Sequence, residues 1–172
     1  MTTNKGFYDE NALWDFALRV YSSPEFAQLS LQLQHNHQAN INIMLWCCWL
    51  KYEGLKVPVT CLDNVLITVD KINQLTVVRL RELRQQIKEH TYFTKVQSQA
   101  INRHILNAEL AIEKVLLQRL QDQTPSYLDE HSAKSGDKQP YIDLTYYLNF
   151  LNISKAPLYA QTLMAECDRV FL

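Results

Sequence analysis

Three glycines in 172 residues constrain this chain more than any other feature. Ordinary usage of about 7% would place roughly 12 in a chain of this length. Glycine supplies the positive φ that hairpin turns and many helix ends require. A β-rich chain needs many such turns, so the scarcity points to few, long elements and to helices. It also excludes a glycine-rich phosphate loop, because Gly6, Gly54 and Gly136 stand far apart.

Hydrophobic spacing says the same. Leu13, Phe16, Ala17, Val20 and Tyr21 recur at helical intervals, with Trp14 and Leu18 widening the stripe, and predict a first helix ending at Tyr21. Ser23-Pro24-Glu25 reads as an N-cap, a first-turn proline and a first-turn acid, opening a second helix that ends near His35. Asn40 is placed to cap a third helix that Gly54 terminates. That helix is apolar nearly all round from Ile41 to Leu50, which predicts burial on several sides at the centre of a bundle. Helical spacing then runs from about Thr60 to Glu89, with a break expected near Asp70 to Asn73, and again from about Thr94 to Gln121. Two such stretches form a long antiparallel pair. The residues 121–139 are polar, contain Pro125 and Gly136, and read as a mobile loop. Two shorter helices follow, from Tyr141 to Asn152 and from about Ala156 onward. The expectation is an all-α fold, an irregular bundle of about seven helices within a single domain spanning residues 1–172.

Composition narrows the class. The net charge is −1, and apolar residues make up 47% of the chain, enough for a substantial core. No apolar run approaches the roughly 18 residues of a membrane span, the longest being Ile43 to Leu50. Met1 to Glu10 is polar and carries no export signal, so a cytoplasmic location is expected. Cys47, Cys48, Cys61 and Cys167 then read as reduced, buried thiols, since they lack the C-x-x-C spacing of redox or zinc sites.

The segment from Ala12 to Tyr21, with its Leu-Trp-Asp-Phe-Ala core, is followed by Ser23-Pro24 and then by Asn40-Ile41-Asn42-Ile43-Met44-Leu45-Trp46. This opening resembles a family of small uncharacterised proteobacterial proteins. The resemblance covers roughly the first third of the chain. It implies a bacterial, cytosolic protein and carries over no catalytic residue, because the family has no assigned function.

Candidate chemistry is sparse. His35 and His37 are two apart, so on a helix they face different ways, and no acid or cysteine cluster completes a metal site. Asp63 and Asp70 are seven apart and lack the clustered-aspartate motif of metal-dependent isoprenoid synthases. No nucleophile motif is present. No metal, cofactor or catalytic residue is therefore assigned. Asp15, between Trp14 and Phe16, is expected to pair with Arg19 four residues on. Asp15, Asn40, Asn42 and Tyr52 are the polar groups that a pocket between the first and third helices would gather.

Charge is the feature above background. From Lys71 to Arg103 seven bases stand against two acids. Arg81, Arg84 and Lys88 fall at i, i+3 and i+7 on one helical face. Such a face can dock an acidic protein, bind nucleic acid, or simply be solvated or paired with the acids around Asp129 and Glu130. The expectation is a non-catalytic helical protein-interaction or adaptor module whose partner is a protein, a second copy of the chain being one candidate. The alternatives are a nucleic-acid or ribosome-associated accessory protein, and a helical enzyme or small-ligand binder of a type the sequence does not identify.

Overall fold

The computed structural model of the chain describes residues 9–132 and 140–171. Among them the fold is all-α: helices α1 (Ala12–Tyr21), α2 (Pro24–His37), α3 (Ile41–Tyr52), α4 (Leu62–Val65), α5 (Lys71–Leu75), α6 (Val77–Glu89), α7 (Lys95–Ser132), α8 (Leu144–Phe150) and α9 (Ala156–Phe171), with a 3₁₀ turn at Val59–Cys61 and a π turn at Leu66–Asp70. None of the described helices is long and apolar enough to cross a membrane.

Helix α3 is the axis of the core. Every residue from Ile41 to Leu50 is buried. Asn40 caps it, its Oδ1 accepting from the Asn42 amide at 3.0 Å. The same side chain donates to Asp70 in the π turn at 3.1 Å, and the Asn40 amide donates to Tyr147 Oη of α8 at 2.9 Å. One asparagine thus ties the start of α3 to two other elements. At the far end Gly54 takes φ 70°, its amide reaching Lys51 O while the Leu55 amide reaches Leu50 O at 2.8 Å. These paired bonds satisfy carbonyls that the helix end would otherwise strand.

The long pair is α6 and α7. It is antiparallel: Arg81 meets Glu113, Arg84 meets Glu109, and Ser98 Oγ donates to Ile87 O. The stretch read from the sequence as Thr60 to Glu89 is interrupted twice, by the π turn and at Thr76, whose φ and ψ of −125° and −75° leave the helical region. The break expected at Asp70 to Asn73 is therefore bracketed by the two actual ones.

Helix α7 corrects the sequence expectation at its end. It does not stop near Gln121 but continues through Pro125 to Ser132, so the first part of the expected loop is helical and 133–139 lie outside the described residues. Tertiary contacts outweigh the proline there. Gln121 is buried and bonds to both sides of the α1 start, its Oε1 accepting from the Leu13 amide and its Nε2 donating to Asp9 O, each at 2.8 Å. Thr124 accepts from Trp46 Nε1 at 3.0 Å and donates to Leu120 O. Tyr127 is buried beyond it. Proline removes one amide from this turn, and the packed residues on either side hold the helix across the gap.

Candidate functional site

Five helices meet around an apolar cleft of about 230 Å³. Trp14, Ala17 and Leu18 of α1, Leu31 of α2 and Leu106 and Leu110 of α7 form its walls. Leu18, Leu31, Leu106 and Leu110 are 52%, 48%, 39% and 44% exposed, so the rim presents leucines to solvent where a core would cover them. Leu18 was expected to widen the buried stripe of the first helix and instead stands at this rim.

Beneath the leucines lies a charged network. Glu109 is buried at 2% exposure. Arg84 grips it with two parallel bonds, Nε to Oε1 at 2.7 Å and Nη2 to Oε2 at 3.0 Å. Arg81 bonds Glu113 through Nη2 and lies 3.7 Å from Glu109. Two arginines and two glutamates neutralise one another, and each pair is partly shielded from water. Burial raises the Glu113 carboxyl above the ordinary range, Arg81 pulling the other way and Glu109 adding to the rise. The Tyr21 hydroxyl is also raised, chiefly by burial.

This changes the standing of the basic face. Arg81 and Arg84 do lie on one side of α6, but their charge is committed to α7, at Glu109 and Glu113. Lys88 is exposed and makes no ion pair with a described residue. The two arginines also wall a polar groove of about 700 Å³ between α2 and α6, which includes His35, Gln38 and Lys88. The partners were hard to see in the sequence. Glu109 and Glu113 are four apart on one face, and so are Leu106 and Leu110; that pairing was the available signal.

The four pocket residues expected between the first and third helices do not converge. Asn42 is buried and lines the apolar cleft, while Asn40 is consumed as a cap. Asp15 and Tyr52 sit on a separate shallow surface with Glu10, Glu53 and Phe171. There Phe16, Tyr52 and Phe171 form an aromatic trio, Phe16 stacking on Phe171 with ring centroids 5.1 Å apart. Arg19 lies over Phe171 at 4.2 Å rather than pairing with Asp15. His35 and His37 end α2 and are exposed. Cys47, Cys48, Cys61 and Cys167 are all buried. Among the described residues no three His, Cys, Asp or Glu side chains are grouped as metal ligands would be.

Comparison with known proteins yields one relationship. A family model described as Protein of unknown function (DUF2390) matches residues 12–120, from the first residue of α1 to well inside α7. No curated protein and no solved structure matches the chain.

Proposed function

The chain belongs to the DUF2390 family, whose function is unknown, and from that membership and the cleft we propose that it is a non-catalytic protein-interaction module that docks an apolar-faced helix of a partner protein, in the cytoplasm of a bacterial cell. The observation that carries the reading is the rim of half-exposed leucines over a self-neutralised floor. Fully burying an exposed leucine stabilises by roughly 1.5–3 kcal/mol, so covering the remaining half of Leu18, Leu31, Leu106 and Leu110 gains about half of that for each and rewards an apolar occupant. A charged occupant gains little, because Arg81, Arg84, Glu109 and Glu113 already satisfy one another. The leucines come from three helices and flank an open trough, a shape that accepts side chains spaced at i, i+3 and i+7 along a partner helix.

The test is site-specific photo-crosslinking in cells. A benzophenone side chain at Leu110 is expected to give a discrete protein adduct, identified by mass spectrometry, that Leu106→Asp abolishes. The same group at Leu158, 56% exposed on α9, serves as the control. A ladder containing only the chain itself identifies a homo-oligomer of the same kind. Absence of any adduct above the Leu158 control overturns the proposal. So does a small molecule retained in native mass spectrometry and lost on Leu106→Asp, which makes the cleft a ligand pocket.

A further inference from the structure

The far end of the α6–α7 hairpin carries a second surface of different chemistry. A groove of about 820 Å³ runs between the end of α6 and the start of α7. Lys88, Lys95 and Arg103 line it, all exposed and none ion-paired with a described residue. Arg84 closes its inner end but is held by Glu109. No acid lines the groove, and the adjacent Glu89 is engaged by Gln85. At the tip stand two aromatic rings that present part of their surface to solvent. Tyr92 is 83% exposed and stacks on His90, with centroids 5.1 Å apart and planes at 23°. Phe93 is 40% exposed and lines the groove itself.

We infer that this hairpin tip binds single-stranded nucleic acid. Unpaired cations along a groove attract a phosphate backbone without reading sequence. Exposed rings beside them offer platforms on which unstacked bases lie, and every base has a face to offer. A duplex hides its base faces and gains only the electrostatic part. An acidic protein surface meets the cations but supplies no row of planar base faces for Tyr92 and Phe93. The surface is distinct from the apolar cleft and shares with it only Arg84 and Leu106.

Fluorescence anisotropy with a labelled oligothymidylate of about 12 nucleotides tests this. Binding is expected at about 50 mM salt. With three phosphate contacts, raising salt to about 200 mM weakens it roughly 20-fold. Lys95→Ala with Arg103→Ala is expected to cut the salt dependence by about two-thirds. Tyr92→Ala is expected to weaken binding about 5- to 150-fold while leaving the salt dependence unchanged. Both sets of side chains are exposed, and circular dichroism checks that helix content is kept. No binding at low salt overturns the inference. An unaltered affinity in Tyr92→Ala, or a duplex or polyglutamate that competes as well as the strand, reduces the tip to a general polyanion patch and overturns it equally.

Discussion

Glu113 sits beneath the apolar cleft with its carboxyl pulled two ways. Burial penalises the charged form, Arg81 favours it, and burial wins, so the folded state holds the proton more tightly than the unfolded chain does. The sign follows from linkage. The native state binds the extra proton between the ordinary carboxylate value and the raised one, so stability falls as pH rises through that window. This runs against the usual carboxylate, which loses stability on acidification. Glu113→Gln keeps the shape and removes the titration. Urea unfolding at several pH values between 4.5 and neutrality should show the wild-type advantage over Glu113→Gln shrinking as pH rises. A widening advantage contradicts the assignment. Glu109 plays a different part beside it, since its bidentate partner Arg84 fixes the register between α6 and α7.

At the scale of elements, a chain with three glycines must end its helices by other means. Gly54 does it once, at φ 70°. Asn152 does it after α8 at φ 59°, its amide bonding Asn149 O and the Ile153 amide bonding Leu148 O. Gln38 does it after α2 at φ 58°. A side chain in that conformation costs about 1–2 kcal/mol. A methyl at Gly54 meets nothing within 4 Å, so the backbone penalty stands there alone. Gly54→Ala should therefore destabilise by about 1 kcal/mol and Gln38→Gly should stabilise by about 0.5–1 kcal/mol, with unchanged urea m-values in both. The local signals at these ends were legible: Ser23 and Asn40 as caps, Gly54 as a stop, and the all-round apolar pattern of α3 as burial. What was not legible depends on distant partners. Pro125 obeys a local rule that ends helices, and only the docking of Gln121 against α1 and of Thr124 against Trp46 overrides it. Arg84 shows a charge and a helical face in the sequence, but its partner lies 25 residues away, set by how two helices slide past each other. The cleft and the hairpin groove follow from that same register, which is why the basic residues could be named in advance and their division into paired and unpaired could not.

Across the whole molecule the core gathers residues from both ends of the chain, and the four thiols report on its integrity. Cys47, Cys48, Cys61 and Cys167 are at most 3% exposed. A hydrogen bond with the Cys167 thiol and then burial raise the Cys48 thiol, and burial raises Cys47, so neither offers the reactive thiolate. Labelling with an aromatic disulfide reagent should be slowed at least about 10³-fold relative to the urea-unfolded chain, with the four reacting together as the core opens. Cys47, Cys48 and Cys167 reacting ahead of Cys61 would show that α3 and α9 separate before the rest unfolds.

Helix α7 has 38 residues and is about 57 Å long, more than a globule of this chain length spans. Its first buried residue is Ile105, so the core packing that steadies its later part is missing from Lys95 to His104, where α6 is the companion. The Arg81, Arg84, Glu109 and Glu113 network ties the two arms of this hairpin to each other and is also the floor of the cleft. From Glu109 to the start of α7 is about 20 Å along the helix, so the aromatic tip stands that far out from the cleft on an arm only two helices thick.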